Sequence, residues 1–506
     1  MSGRSIFARR HLSISDSDRF ILVIAFLLIF LMAARTPLDG DMWWHLRAGQ
    51  VTLLQRAPLM EDVFSFTRAG QGWINHSWLA QVGMASLFSW LGFPGLCLGV
   101  AFLAVGSLFF VLLQMDGPAI LKAFLVIFGG VVAAPVWSPR PQTISLLLMA
   151  IIGYVLYLYK WRQINHLWLL PLIMAVWSNL HGGYPLGFLL LGCMLAGEAL
   201  NYGLGFSGER VLSRKEWLGL LGWSGISGLA VLLNPNGLNT WLIPFQTVNV
   251  GVLQNLIAEW ASPDFHELAQ QPLLWLVFAT LASIGLSGRQ LDGTDLLAVC
   301  GFGMMAFISK RHFGPFALAA LPVLSRHLWP ALQAWRERVN LPAQLMAAIQ
   351  SRQAKEMINR SFLQRATNLL VAGIFGLLAA GKVVAVSHPA AMTGYLAQVY
   401  PVEAVAWLDE HPRNGNLLNE YNWGGYLIWS LPEIPVFVDG RTDLFGDEIL
   451  GQWLQMVQGA EGWQTTLEGW EVQTVILQAD RPLAGLLQQN GWEVQYRDAQ
   501  AIILCR

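Results

Sequence analysis

Two aspartates separated by one residue, Asp39 and Asp41, are the first residues of the chain with the types and spacing to do chemistry. They follow directly on the apolar run 20–35. Two such carboxylates can share a divalent cation such as Mg²⁺ or Mn²⁺, or one of them can act as a general base on a hydroxyl group. Alternatively, they only cap the helix that begins near Trp43, as aspartate commonly does. The functional interpretation makes Asp41 or Asp39 catalytic.

Cationic residues stand in two later turns of the chain. Arg140 is alone in the turn 138–142, and Lys310 and Arg311 are adjacent in another turn. Arginine stays charged and binds phosphate through two parallel hydrogen bonds. We therefore predict that these residues bind a phosphate. The alternative for Arg140 is a side chain that only reaches up to the membrane interface.

Imidazole and carboxylate groups could complete such a site. His181 follows Asn179 and precedes two glycines, which permit a tight turn and close approach of a ligand. It could donate to a phosphate, orient a base or bind a metal, or it could be a structural histidine at a helix end. The loop 234–271 adds acidic and imidazole groups that are either part of a metal site or ordinary polar loop residues. The predicted metal ligands are Asp39, Asp41, Glu259 and His266.

Residues typical of binding sites also concentrate near the end of the chain. The run 419–429 is rich in aromatic and glycine residues, and it precedes a β-like run that leads to Asp439 and Arg441. Trp423 and Tyr426, together with that charged pair, could bind a substrate. The alternative is that the aromatic residues form the core of a small domain and that Asp439 pairs with Arg441.

The composition indicates a protein embedded in a lipid bilayer. Of 506 residues, 55% are hydrophobic and only 12% are charged. The net charge of −1 excludes nucleic acid as a partner, because its phosphates would require a clustered basic face. The four cysteines are widely spaced and predict neither a disulfide framework nor a zinc site.

A helix that spans a bilayer needs about 20 apolar residues, and the chain has eleven segments near that length. The predicted spans are 20–35, 94–114, 119–136, 143–159, 166–179, 184–201, 216–233, 272–287, 295–309, 312–325 and 366–387. Segment 79–91 is apolar but short, and we predict a helix at the membrane surface there. Ten or twelve spans remain as alternatives.

The basic residues orient these spans, because positive charge gathers in cytoplasmic loops. Residues 160–162, 210–215, 289 and 326–365 fall on the side of the N-terminus, which four arginines place in the cytoplasm. We predict a bacterial inner-membrane protein with these parts: a cytoplasmic N-terminus 1–19, a transmembrane domain 20–387 with outer loop 36–93 and cytoplasmic amphipathic segment 327–365, and an extracytoplasmic domain 388–506.

The C-terminal part has the composition of a small soluble domain. Its predicted strands are 436–438, 472–477, 494–496 and 501–504, and its predicted helices include 402–410 and 482–489. Alternation of this kind favours an α/β module of about 100 residues. The overall prediction is an α-helical polytopic membrane protein of about eleven spans with a small C-terminal α/β domain.

Three stretches of the first loop resemble bacterial membrane glycosyltransferases of the GT-C superfamily. They are the run Asp39–Gly49, the stretch Asp62–Thr67 and the turn Trp73–Leu79. One position departs from that pattern, because Ser77 stands where a glutamate is expected. The resemblance implies a polyprenyl-phosphate-linked sugar donor, chemistry at the outer membrane surface and an acidic motif in the first outer loop.

The resemblance also implies roles for the residues named above. Asp41 or Asp39 would be the base or a metal ligand, and Arg140, His181 and Arg311 would bind the phosphate. Further residues predicted to contact substrate are Trp44, His45, Asp62, His76, Asn179, Lys310, Trp423, Tyr426, Asp439 and Arg441. The acceptor is predicted to be a glycan or a protein. The alternative function is a non-catalytic membrane scaffold that binds a protein partner through its C-terminal domain.

Overall fold

The computed structural model of the chain is a bundle of apolar helices with a small sheet-containing unit at its C-terminal end. It describes residues 16–206, 210–248, 251, 257, 259–338, 361–411 and 415–506. The helices of the bundle are α1 (Asp16–Ala33), α2 (Met42–Gln55), α3 (Trp78–Leu112), α4 (Ala119–Ala133), α5 (Gln142–Trp161), α6 (Leu169–Leu180), α7 (Pro185–Leu204), α8 (Arg214–Ala230), α9 (Ile243–Val248), α10 (Gln271–Leu286), α11 (Gly293–Ile308), α12 (Phe313–Arg338) and α13 (Ser361–Ser387).

The helices confirm a multi-pass membrane protein. Each of the eleven predicted spans falls on a helix of the bundle. Among the described residues, six helical segments are long and apolar enough to cross a bilayer: Trp78–Leu112, Ala119–Val136, Gln142–Trp161, Pro185–Leu204, Arg214–Leu233 and Leu363–Ser387. The count of eleven spans and their orientation therefore stay predictions.

The first loop, residues 36–93, is held against the bundle by α2 and by the beginning of α3. The predicted surface helix 79–91 is the first part of α3, which kinks at Gly92, where φ is 59°. Helix α2 packs closely on this part, because a Cβ at Gly49 would lie 2.1 Å from the carbonyl oxygen of Gln81. The backbones touch there, and this contact fixes the position of the residues just before α2.

Residues 388–506, called here the C-terminal unit, combine six helices with a four-stranded sheet. The helices are α14 (Pro389–Val399), α15 (Val402–Glu410), α16 (Gly424–Ser430), α17 (Thr442–Val457), α18 (Trp463–Gly469) and α19 (Pro482–Gln489), and the strands are β1 (Asn416–Asn419), β2 (Val472–Gln478), β3 (Glu493–Arg497) and β4 (Ala501–Cys505). The sheet order is β1-β2-β4-β3. Strands β1 and β2 are parallel, and the other two pairs are antiparallel.

Three of the four predicted strands are confirmed, and one is wrong. The segment 436–438 is not in the sheet, because Val436 instead forms an isolated bridge with Ser65 of the first loop. The strand β1 was missed, since two of its four residues are asparagines. The bridge joins the first loop to the C-terminal unit.

Two further features differ from the sequence-based expectation. The predicted surface segment 327–365 begins as a continuation of α12, and residues 339–360 lie outside the described part of the chain. Lys160 is not in a solvated loop but is fully buried, paired with Glu198 and with Asp292 at 2.6 Å. A buried lysine requires such partners, and this pairing ties α5 to α7 and α11.

Candidate active site

Arg140 is the centre of a cluster that three carboxylates form around one guanidinium group. Its Nε lies 3.1 Å from Oδ2 of Asp39 and its Nη1 lies 2.9 Å from Oδ2 of Asp41, while Nη2 pairs with Glu259. The short turn between α4 and α5 carries Arg140, and the first loop carries both aspartates. Four residues that the sequence pointed to thus meet in one place.

The cluster has more negative than positive charge, and this affects its protonation. Burial lowers the pKa of Arg140, but the three carboxylates raise it above the ordinary value, so the guanidinium stays charged. Burial raises the pKa of Asp39 to about 6, with Asp41 and Glu259 acting in the same direction and Arg140 opposing them. Asp39 therefore takes up a proton at a higher pH than an ordinary aspartate does.

Asp41 is oriented by contacts on both of its oxygens. Oδ2 accepts a hydrogen bond from Arg140, and Oδ1 accepts one from Nε1 of Trp44 at 3.1 Å. Its backbone N–H donates to Oδ1 of Asp39 at 3.0 Å. Asp41 occupies the N-cap position of α2 but makes no side-chain capping hydrogen bond. The carboxylate is therefore directed at the cluster, and helix capping does not account for it.

The four predicted metal ligands do not all meet in one place. The side chain of His266 is exposed, and its backbone N–H donates to Asp264 in a local turn. Within the described ranges, no group of three or more His, Cys, Asp or Glu residues is placed to hold a metal ion. Asp39, Asp41 and Glu259 all pair with Arg140, and a divalent ion would have to displace its guanidinium.

A cavity of about 280 Å³ lies beside this cluster. Arg311 lines it, and the guanidinium of Arg311 lies 4.3 Å from the ring centroid of Trp260, which is another wall residue. No carboxylate of the described chain forms an ion pair with Arg311. Burial lowers its pKa to about 10, with Arg140 acting in the same direction and Glu259 opposing them. A cation that lacks an anionic partner inside a cavity is suited to bind an anion.

Two histidines face the same cavity and are held in one tautomer. Nδ1 of His76 accepts from the backbone N–H of Gly182 at 3.1 Å, and Nδ1 of His181 accepts from that of Gly183 at 2.9 Å. Burial lowers the pKa of both rings, so both are neutral. A neutral ring with an unprotonated Nδ1 carries its proton on Nε2. Both histidines are therefore hydrogen-bond donors through Nε2.

Hydroxyl groups support these two rings. Oγ of Ser77 lies 2.7 Å from Nδ1 of His76, and Oγ of Ser145 lies 2.8 Å from Nδ1 of His181. Ser145 is itself fixed by Nε1 of Trp177 at 2.7 Å. Ser77, the departure from the expected glutamate, thus contacts the histidine that precedes it.

The segment at Glu259 and Trp260 joins the cluster to the cavity. The carbonyl oxygen of Glu259 accepts from Oγ of Ser309 at 2.9 Å and from the backbone N–H of Arg311 at 3.2 Å. Its carboxylate pairs with Arg140, and its neighbour Trp260 lies beneath Arg311. One short segment therefore contacts both the Arg140 cluster and the cation of the cavity.

Comparison with solved structures identifies the architecture. ArnT from Cupriavidus metallidurans in the apo state superposes with a TM-score of 0.51 at 14% sequence identity, over 96% of this chain and 98% of that chain. This chain has the GT-C fold. No family model and no curated protein sequence matches it.

Two other solved structures with the GT-C fold are similar over nearly the whole of this chain. ArnT from Cupriavidus metallidurans bound to undecaprenyl phosphate gives a TM-score of 0.48 at 13% identity, over 97% of this chain and 98% of that chain. The arabinofuranosyltransferase AftD from Mycobacteria gives 0.46 at 13% identity, over 96% of this chain and 40% of that chain.

Three residues predicted to bind substrate are instead part of the interior of this GT-C chain. Nη1 of Arg441 lies 2.6 Å from Oδ1 of Asp62, and its Nη2 lies 2.6 Å from Oδ2 of Asp439. All three side chains are buried, with exposures of 1% or less. They cannot contact a substrate in this conformation, and we assign them a structural role, as the alternative for Asp439 and Arg441 proposed. The sequence did not predict that Asp62 would be the third member of this buried ion-pair cluster.

Other predicted contact residues also support the GT-C scaffold. Oδ1 of Asn179 accepts from Nε1 of Trp78 at 2.8 Å, and His45 is buried beside Gln81. Tyr426 stacks on Tyr400 in an aromatic cluster. Neither these residues nor Lys310 line the cavity that contains Arg311. Trp44 alone of the aromatic residues predicted in the first loop touches the cluster, through Asp41.

Sequence reasoning missed two residues that shape the site. Trp260 supports Arg311, and only its neighbour Glu259 was singled out. Gly440 lies directly behind Asp41, because a Cβ at this position would be 1.8 Å from Oδ1 of Asp41. Its position between Asp439 and Arg441 in the sequence was the only signal, and that signal did not show which surface Gly440 would face.

Proposed function

We propose that this protein transfers a sugar from a polyprenyl-phosphate-linked donor to an acceptor hydroxyl group at the outer face of the membrane. The observation that carries the proposal is the juxtaposition of an oriented carboxylate, Asp41, with a cavity that contains Arg311 and two imidazole donors. A base and an anion site in contact through one segment are what such a transfer requires. The GT-C fold is consistent with it.

The proposed reaction is a single displacement. The acceptor oxygen forms a bond to the anomeric carbon of the sugar while the bond from that carbon to the phosphate oxygen breaks. Asp41 takes the proton of the acceptor hydroxyl, and the electron pair of the broken bond leaves on the phosphate. One displacement inverts the configuration at the anomeric carbon. Arg140 holds Asp41 in place through its ion pair with Oδ2.

The cavity accounts for the leaving group and for its lipid. Arg311 and the Nε2–H groups of His76 and His181 can stabilise the negative charge that grows on the phosphate. The remaining walls are largely apolar, and they include Leu146 and Leu186 from α5 and α7. A phosphate joined to an isoprenoid chain fits this combination of charge and apolar surface.

Undecaprenyl phosphate is the probe that tests the donor site. We expect Arg311→Gln to weaken its binding to the purified protein in lipid nanodiscs by about 10- to 100-fold, the loss typical of a charged hydrogen bond. Lys310→Gln is the matched control, because Lys310 lies next to Arg311 but outside the cavity. The affinity of this variant for undecaprenyl phosphate should stay within about threefold of that of the wild type. Native mass spectrometry measures the affinity.

The uncharged alcohol undecaprenol separates phosphate recognition from lipid recognition. It should bind the wild-type protein and the Arg311→Gln variant equally and weakly. Equal affinities for the phosphate and the alcohol would refute an anion site at Arg311. The donor part of the proposed function would then be lost.

The raised pKa of Asp39 predicts the pH dependence of the transfer. Below about pH 6 Asp39 gains a proton, which weakens its ion pair with Arg140 and its hold on the backbone of Asp41. The rate should therefore fall as the pH drops through about 6. The profile of sugar release between about pH 5 and 8 measures this effect. In Asp39→Asn the acid limb should move to lower pH, and an unchanged limb would show that another group titrates.

A further inference from the structure

A second cavity lies on the other side of Asp41, between the first loop and the C-terminal unit. Its volume is about 320 Å³. Oδ2 of Asp41 is directed to Arg140, whereas Oδ1 approaches Gly440, which lines this cavity. The cavity therefore adjoins the oxygen that Arg140 does not occupy. Its lining residues are Gly40, Asp41, Val399, Tyr400, Tyr421, Asn422, Trp423, Gly425, Gly440 and Gln478.

Glycines bring the two parts of the wall into contact. A Cβ at Gly425 would lie 2.5 Å from the carbonyl oxygen of Gly40, and one at Gly440 would overlap Asp41. The turn that contains Gly440 is anchored by the buried pair Asp439 and Arg441. The cavity is thus a fixed feature of the interface between the first loop and the C-terminal unit.

The polar groups of this cavity are neutral, apart from Asp41. Two residues with side-chain amides, Asn422 and Gln478, are among those that line it; Asn422 is exposed and Gln478 is half-buried. Burial, followed by the charge of Asp41, raises the pKa of Tyr421 well above its ordinary value, so its hydroxyl stays protonated. Amide and hydroxyl groups can both donate and accept, which suits a ligand with several hydroxyl groups.

The charge of the cavity decides between classes of ligand. Asp41 is the one charged residue among the described lining, and Arg140 and Trp44 already contact its carboxylate. An anionic ligand would be repelled by the surplus negative charge of the Arg140 cluster. A cationic ligand would be attracted by that surplus, but it would have to compete with Arg140 for the carboxylate of Asp41. A neutral ligand meets neither cost, and the aromatic walls offer apolar surface to its C–H groups.

We infer that this second cavity binds the acceptor as a neutral, hydroxyl-rich sugar unit and directs one of its hydroxyl groups to Oδ1 of Asp41. The inference rests on the proposed function and names the acceptor class of that same site. Donor and acceptor then approach from opposite sides of Asp41. The proton that leaves the acceptor hydroxyl passes to Oδ1, which faces this cavity.

Oligosaccharides from the host cell envelope, separated into neutral and anionic fractions, are the probe that tests it. Saturation-transfer NMR on the full-length protein in nanodiscs should show binding of the neutral fraction. Asn422→Leu with Gln478→Leu should weaken that binding at least about tenfold, as the loss of two hydrogen bonds predicts. The control is Gln495→Leu, an exposed glutamine on β3 of the same sheet, which should bind like the wild type.

The outcomes separate this inference from the function on which it rests. Unchanged undecaprenyl phosphate binding in the double variant, together with lost oligosaccharide binding, supports it. Equal or stronger binding of the anionic fraction, or neutral binding that survives the double variant, overturns it while the donor site stands. A serine-containing neutral peptide that competes with the sugars for the cavity would also overturn it, because the acceptor class would then be a protein.

Discussion

Asp41→Asn is expected to lower the rate of sugar transfer by about 10²- to 10⁴-fold, the usual contribution of a general base. The amide keeps the size of the side chain and can still contact Arg140 and Trp44, but it cannot take a proton. The measurement is release of undecaprenyl phosphate from a panel of undecaprenyl-phosphate-linked sugars, incubated with envelope acceptors of the host and followed by mass spectrometry.

Asp264→Asn provides the matched control for this experiment. Asp264 is an exposed aspartate whose Oδ1 accepts a hydrogen bond from the backbone N–H of His266 in a local turn, and its replacement should leave the rate unchanged. Binding of undecaprenyl phosphate should be the same in both variants and in the wild type. An Asp41→Asn protein that transfers sugar at the normal rate would exclude Asp41 as the base. A wild-type protein that consumes no donor of the panel would favour the alternative of a non-catalytic scaffold.

Arg441→Met is expected to lower the free energy of unfolding of the C-terminal unit by about 3–5 kcal/mol. The substitution leaves Asp62 and Asp439 buried without a cation, and Asp439 already has a pKa that burial raises despite Arg441. Hydrogen exchange of the amides in β1 and β2 measures the loss. The turn at Gly440 should become more mobile together with these strands.

Two companion variants make the cause of this loss testable. Arg441→Met combined with Asp62→Asn and Asp439→Asn should recover much of the stability, because no buried charge remains. Arg506→Met removes one member of an exposed pair with Glu468 in the same unit, and it should cost about 0–1 kcal/mol. A triple variant no more stable than Arg441→Met would show that packing of the arginine matters and that its charge does not.

The sequence was sufficient to predict the helices and part of the candidate site. A long apolar run in a bilayer has few alternatives to a helix, because its backbone N–H and C=O groups must form their hydrogen bonds within the segment. Each predicted span falls on a helix. Arg140 stood out because a lone cation in that turn required a local reason. Its contact with Asp39, Asp41 and Glu259 provides one.

The interior of the C-terminal unit could not be predicted in the same way. Burial of Arg441 depends on Asp62, which is remote in the sequence, and no spacing rule connects them. The tautomers of His76 and His181 are set by hydrogen bonds from the backbone N–H groups of two glycines. The local sequence gave no sign that these glycines would contact both rings. Lys160 was placed in a loop because a basic residue near a span end usually signals one. Its partners are Glu198 of α7 and Asp292, the residue just before α11.

The position of Gly440 against Asp41 has a consequence for the order in which the parts of the site are synthesised. Asp41 leaves the ribosome early, and the surface that backs it leaves late. A nascent chain therefore contains all the residues that line the Arg311 cavity before the surface that backs Asp41 has been synthesised. Until the segment that contains Gly440 folds, Asp41 lacks the backbone surface that packs against its Oδ1.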